Sequence, residues 1–466
     1  MTMTTLAVLI VYLGIIISVG FWAKRKTRSV KEFAVAGRNL AFFTAMCTII
    51  ASEWGGGVVM GVSEDAFAFG ISSLAYPITL GLGLIILGLT LVRKYWHLET
   101  ITMPEFLKNR FSIRVEALAS ILMVISLTLV TASQVRAAAI IGQSLFSVPL
   151  IITSFVFVII ICVYTSIGGL WAVAYNDTIQ LLIGGIGILI VLGVALSRVG
   201  GVVTLFKSLP ASYLDPRPWG NWIWAFDYLA SVTFVMLAVP ELVQRIWASK
   251  SEKIAKNALL VGGLIYWFFG IASMLLGLCA FIIIPNIESG AVPSLILHLF
   301  PPFLGAVLVI SLLAALLSTA DTMILVCSTI FVEDLYKRFI KPALSDKESL
   351  KVMRLMVFVF GGITLVWALL VPRVLSLILY SMYAIIGFST IYIFGNVWKK
   401  TSEIAAFWCL ILTALAATIW HFGNFSYKYF LTTGIVAFLV SIISIVVLSY
   451  IFPRKQKEVE TVSKEA

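Results

Sequence analysis

Ser318, Thr319, Asp321 and Thr322 fall within about one helical turn of an apolar stretch, Ser311 to Tyr336, that is long enough to cross a bilayer. Hydroxyls and a carboxylate left in hydrocarbon without partners cost several kcal/mol, so something must satisfy them. A second polar break, ASEWGGG at 51–57, sits at matching depth in an earlier apolar run. Backbone carbonyls released by an unwound turn, together with the hydroxyls of Ser318 and Thr319, make a hard and weakly charged oxygen cage. Such a cage suits Na+ better than a divalent ion, which takes carboxylate ligands. The hydroxyls also have a plainer use, a bond back to the carbonyl four residues earlier.

Other polar residues in apolar runs allow more than one reading. Glu53 can reach an ion, a solute or a proton, or can pair with a helix dipole or a nearby Asn or Arg; a proton on Glu53 leaves proton coupling open. Gly55 and Gly56 let a solute approach the backbone. Trp54 is a lid or core packing, and its carbonyl counts in both cases. Arg136 is the only cation this parsing leaves inside a span. It can hold a carboxylate through two hydrogen bonds, snorkel to the outer interface, or pair with Glu64 or Asp65.

The elements that position these groups are set by composition. With 61% hydrophobic and 12% charged residues, the chain is an integral membrane protein. Apolar runs give about 13 transmembrane helices in one transporter domain, 1–466, without a separate soluble unit. The expected spans are 4–22, 40–69 (interrupted), 72–92, 115–146, 148–166, 171–197, 222–247 (interrupted), 257–284, 303–335, 352–372, 374–397, 403–421 and 427–451. The first is no signal peptide, since its positive cluster follows the apolar run and no small-residue cleavage site appears.

The net charge of +11 reports topology and not nucleic-acid binding. Alternate loops are basic: Lys24 to Arg38, Arg93 to Arg114, Arg245 to Lys256, Lys337 to Arg354, Lys399 with Lys400, and the tail from Arg454. The other loops hold only Arg198, Lys207, Arg217, Arg373 and Lys428. The N-terminus is therefore expected outside and the C-terminus in the cytoplasm of a plasma-membrane protein. Cysteines 47, 162, 279, 327 and 409 lie in apolar runs without metal-ligand spacing and read as small core residues.

Counting spans after a leader helix at 4–22, the broken span at 51–57 is followed five spans later by another, with Ala230, Ser231, Thr233 and Pro240 in its apolar stretch. Two unusually long spans, 115–146 and 303–335, are also five apart. An odd offset reverses orientation, which predicts two inverted five-helix repeats, 40–197 and 222–397. Two extra helices at 403–451 and a tail at 452–466 follow. The breaks then meet near the midplane.

Several motifs resemble the sodium:solute symporter family over nearly the whole chain: GRNL at 37–40 with ASEW at 51–54, TMPEFLKNRF at 102–111, GGLWAVAYNDTIQ at 168–180, VQRIWASK at 243–250, and AALLSTADTMILVCSTIFVEDLYK at 314–337. The resemblance implies a LeuT-like inverted-repeat fold and solute uptake coupled to the inward Na+ gradient. It also implies a Na+ site on the carbonyls of Ala51, Trp54 and Ala315 and the hydroxyls of Ser318 and Thr319. Some members hold a second Na+, matched here by Asp177, Ser318, Asp321 and Thr322, although Asp177 can instead cap a helix. Proline transporters of the family carry an aspartate where Glu53 stands, and aromatic residues eight and four positions before a proline, where this chain has Val232 and Met236. That departure puts proline in doubt, and the two broken spans, 40–69 and 222–247, offer few of the amides and acids that sugars need. Arg136 and a likeness to the pantothenate branch around Asn176, Asp177 and Thr178 favour a small carboxylate-bearing solute. Partners are then the solute, Na+ and lipid. A proton-coupled transporter of the same fold is the alternative. A membrane sensor and an intramembrane enzyme are the other classes, and no paired His-acid or Asp-rich catalytic motif supports an enzyme.

Overall fold

The computed structural model describes residues 3–98, 100–146, 148–287, 290–370, 374–426 and 431–454. Over these residues the chain is helical, with one isolated bridge between Leu40 and Ser249. The loop cations Arg373 and Lys428 and the tail from 455 lie outside the described residues. Eleven helices among the described residues are long and apolar enough to cross a membrane. The expected count of about 13 divides two of these stretches, each of which turns within its length, at Gly169 (φ 54°) and at Gly70 (φ 81°). Leu150–Val199 runs through both 148–166 and 171–197, and Gly57–Thr90 joins the end of 40–69 to 72–92.

The central elements are α1 (Met3–Lys24), α2 (Phe42–Glu53), α3 (Ile113–Phe146), α4 (Leu150–Val199), α5 (Pro240–Ala248), α6 (Glu252–Ile283) and α7 (Pro302–Ile330). Helix α7 forms the axis. It packs against α3 and α4, and also touches α2, which lies on α4 and α6. Every residue from Leu308 to Ile330 is buried, so α7 is apolar all round because it has protein on every side. Outer helices behave oppositely: Ile10, Phe21, Leu415 and Ile443 are exposed, as lipid-facing side chains must be. Ser251 and Ser402 cap the helices that follow them by accepting from the backbone N–H of Ile254 (3.2 Å) and Ala405 (3.3 Å).

A straight 50-residue helix would be about 75 Å long, more than twice the ~30 Å hydrocarbon core. Helix α4 is interrupted at Gly169, with φ 54° and ψ −147°. A Cβ there would sit 2.6 Å from Phe33 Cδ2 and 2.7 Å from the Phe33 carbonyl oxygen. Gly169→Ala is therefore expected to cost roughly 1–3 kcal/mol of stability through strain and collision. Gly362→Ala, whose Cβ would meet nothing within 4 Å, is the control. Comparing their thermal denaturation midpoints in detergent checks this; equal midpoints would contradict it.

The two sequence breaks are real discontinuities. Helix α2 ends as Trp54 leaves helical dihedrals (φ −87°, ψ 55°), and a wider turn at Gly57–Val62 leads into Ser63–Phe69. In the later span, Trp222–Asp227 passes through a similar wide turn at Tyr228–Thr233, and Val239 is extended (φ −74°, ψ 135°). Pro240 disfavours helical dihedrals in the residue before it and then starts α5, where its missing N–H costs nothing.

Candidate cation and solute site

At the end of α2 the Ala51 carbonyl meets two hydroxyls from the middle of α7. Ser318 Oγ donates to it at 3.1 Å and Thr319 Oγ1 at 3.2 Å, while Ser318 Oγ also lies 2.9 Å from the Ala315 carbonyl. Ser318 is 1% and Thr319 3% exposed. The back-bond expected of a lone hydroxyl therefore exists for Ser318, to the residue three earlier, but it does not replace the contact with α2. Four of the five oxygens assigned to a Na+ site are gathered within hydrogen-bonding reach. Trp54, whose N–H bonds the Ile50 carbonyl at 2.8 Å, is fully buried, and its ring centroid lies 4.5 Å from that of Phe269.

The approach of α2 to α7 depends on the small residues after Trp54. A Cβ on Gly55 would collide with Thr319 Oγ1 and lie 2.7 Å from Gln134 Oε1. The Gly56 N–H donates to that same Gln134 oxygen at 2.6 Å. Gln134 on α3 thus satisfies a backbone donor that the break releases. Sequence reasoning missed it, although an amide two residues before Arg136 in an apolar run was visible.

Toward the C-terminal end of these contacts lies a second polar cluster centred on Arg245. Its Nη2 donates to Thr322 Oγ1 at 2.6 Å, its Nε to Thr48 Oγ1 at 3.3 Å, and its Nη1 to the Glu241 carbonyl at 3.3 Å and Gln244 Oε1 at 2.9 Å. Asp177 Oδ2 accepts from Thr48 and is 3.9 Å from Arg245 Nη2, and Asp321 Oδ2 accepts from Tyr164 at 2.7 Å. Arg245, Asp177, Asp321 and Thr322 are all 0% exposed. This corrects the reading that assigned Arg245 to a basic loop and left Arg136 as the sole cation within a span. Of the four residues matched to a second Na+, Asp177, Asp321 and Thr322 gather at or near this guanidinium, while Ser318 turns to Ala51 and Ala315.

Beside the break, Ser52, Glu53, Gly55, Tyr76, Gln134 and Glu241 contribute to a small cavity of about 30 Å3, with Leu127, Val130, Met323 and Ile385 as its apolar wall. Glu53 and Glu241 bring carboxylates to it from the two broken spans; Glu53 Oε1 and Glu241 Oε2 are buried without hydrogen-bond partners. Glu241 was also missed in the sequence. It stands directly after the break, in the first turn of α5, whereas Glu53 is the last residue of α2 before its break.

Three expected solute contacts lie elsewhere. Arg136 does not line the cavity; its Nη1 points to the Ala368 carbonyl at 3.4 Å and pairs with neither Glu64, which accepts from Gly290 N–H at 3.2 Å, nor Asp65. This removes Arg136 as a ground for a carboxylate-bearing solute and leaves the likeness around Asn176, Asp177 and Thr178. Val232 and Met236 are fully buried and do not line the cavity either; a Cβ on Gly83 would collide with Met236, which shows how closely that side chain is packed. Gly56 is buried at the break, with its N–H committed to Gln134.

Comparison with known proteins agrees in family and fold. Residues 33–413 match the sodium:solute symporter family. The osmoregulated proline transporter of Bacillus subtilis (strain 168) is 27% identical, covering 96% of this chain and 94% of that protein. The sodium/glucose cotransporter 1 of Oryctolagus cuniculus is 25% identical, covering 95% of this chain and 78% of that one. A solved Na+-coupled sialic acid symporter superimposes with a TM-score of 0.83 at 19% identity, over 98% of this chain and 99% of its own.

Proposed function

The chain belongs to the sodium:solute symporter family, and on that premise we propose that it imports a small organic solute together with Na+ by alternating access around the break between Glu53 and Gly57. Its relatives are transporters and not enzymes, and its apolar spans make it an integral plasma-membrane protein. Na+ is cargo in this reading. It binds the carbonyls of Ala51, Trp54 and Ala315 and the hydroxyls of Ser318 and Thr319, once those hydroxyls turn their lone pairs inward. The observation that carries the proposal is the convergence of both hydroxyls on the Ala51 carbonyl at the point where α2 unwinds.

Further parts of the reading follow from the family and the sequence. The repeats 40–197 and 222–397 rock about the site, the leader at 4–22 and the helices at 403–451 flank them, and the N-terminus is outside with the C-terminus cytoplasmic. One Na+ per cycle is favoured over two, because Arg245 already brings a positive charge to Asp177 and Thr322. The test of the reading is uptake of solute into proteoliposomes with an inward Na+ gradient and with K+ in its place. Equal uptake in both would refute Na+ coupling.

Proton coupling is the second reading, and the unpartnered oxygens of Glu53 and Glu241 are the observation that favours it. Glu53→Gln keeps size and hydrogen-bonding shape while removing both charge and titration. Coupled uptake is expected to be lost, by at least tenfold in rate. Wild-type kinetics in that variant would exclude Glu53 from ion, solute and proton roles alike. Uptake in wild type driven by a pH gradient without Na+ would select the proton.

A further inference from the structure

The cavity carries a donor and acceptor inventory that bears on what it holds. Among its described side chains, the hydroxyls spend their protons inward: Ser52 Oγ on the Ile49 carbonyl (3.0 Å), Ser126 Oγ on the Ser381 carbonyl (2.9 Å), Ser381 Oγ on the Ile378 carbonyl (2.6 Å) and Thr319 Oγ1 on Ala51. The Gln134 amide nitrogen donates to Ser133 Oγ at 3.2 Å. The Tyr76 hydroxyl and the second N–H of the Gln134 amide are the side-chain donors left over. Against these donors stand the carboxylates of two lining residues, Glu53 and Glu241, each with one oxygen, Oε1 and Oε2 respectively, buried without a partner, and Glu241 is only 4% exposed. No Lys, Arg or His is among the described lining residues, and among the described residues none reaches ion-pair distance of either carboxylate. Arg245 spends its donors on Thr48, Gln244, Thr322 and a backbone carbonyl.

A carboxylate-bearing solute would need donors and would meet two acids. A donor-rich cation meets the reverse. A desolvated carboxylate oxygen without a partner on each of two acids is costly, and a bound ammonium would remove that cost by forming charge-assisted hydrogen bonds only in the loaded state. Na+ at the adjacent carbonyl and hydroxyl site adds one positive charge but donates no hydrogen bond to either partnerless carboxylate oxygen.

We infer that the transported solute is a small organic cation, an amine or quaternary ammonium compound, held between Glu53 and Glu241 within the cavity bounded by Tyr76 and Gln134. The inference rests on the Na+ symporter reading and deepens it by giving the charge of the solute.

The test uses the full-length purified protein. Its thermal stability is measured in Na+ and in K+, and then in saturating Na+ with paired probes: putrescine against 1,4-butanediol, and choline against the uncharged 3,3-dimethyl-1-butanol. Succinate, proline and myo-inositol complete the panel. The expected result is stabilisation by at least one cation and not by its neutral partner, with apparent affinity for that cation reduced tenfold or more in Glu241→Gln. Glu53→Gln is the second charge-removing variant, should Glu241→Gln not fold. Stabilisation confined to succinate, proline or myo-inositol, no stabilisation by either cation, or a cation whose affinity neither variant changes, would each overturn the inference. If Na+ itself gives no stabilisation over K+, the symporter reading fails first, so the two failures are distinguishable.

Discussion

Replacing Ser318 and Thr319 together by Ala is expected to lower the apparent affinity for Na+ at least tenfold, equivalent to about 1.4 kcal/mol. Two of the five proposed oxygens vanish, and so do both bonds that hold the Ala51 carbonyl against α7. Thr319→Ser keeps the oxygen and loses only a methyl group, so it should remain close to wild type in Na+ affinity. The measurement is the Na+ concentration for half-maximal uptake in proteoliposomes, with folded protein verified by its elution profile. Unchanged Na+ activation in the double variant would remove Ser318 and Thr319 from the ion site.

Arg245→Met should destabilise the protein by about 3–5 kcal/mol, because Asp177 and Asp321 are then buried without the guanidinium that lies among them. The side chain is wholly buried and donates to Thr48, Thr322, Gln244 and the Glu241 carbonyl as well, so four acceptors lose their donor at once. Adding Asp177→Asn removes one of the stranded charges, and part of the loss should return. Thermal denaturation of the single and double variants reads this directly. A double variant no more stable than Arg245→Met would show that the cost lies in lost hydrogen bonds and packing instead of in unbalanced charge.

How much of this was legible in the sequence depended on whether the signal was local. Ser318 and Thr319 stood out because hydroxyls at mid-depth in an apolar run have no solvent to turn to. ASEWGGG was legible as a break because a glycine triplet cannot sustain a helix without neighbours holding it. The same depth argument applies to Glu241, yet the proline before it drew attention to the break and away from the acid. Arg245 was misread because it stands at the end of an apolar run beside Lys250 and Lys253, and counting charges in loops cannot see that Thr48, Asp177 and Thr322, distant in sequence, close around it. Arg136 was misread for the converse reason: position in a span does not reveal which face of α3 a side chain occupies, and its guanidinium meets Ala368 instead of the cavity. Val232 and Met236 carried a comparison of side-chain types at fixed spacing, but a wide turn at Tyr228–Thr233 alters the angular phase on which such spacing depends.

In the proposed mechanism a cation binds where the broken end of α2 meets Ser318 and Thr319, and its movement is tied to the solute. The most direct measurement is the binding of sodium-22 to purified protein by scintillation proximity, in wild type and in the Ser318→Ala/Thr319→Ala variant, with unlabelled Na+ and K+ as competitors. Saturable binding is expected, displaced by Na+ and not by K+, and at least tenfold weaker in the double variant. Saturable sodium-22 binding of equal affinity in both proteins, or the absence of Na+-specific binding in wild type, would contradict it.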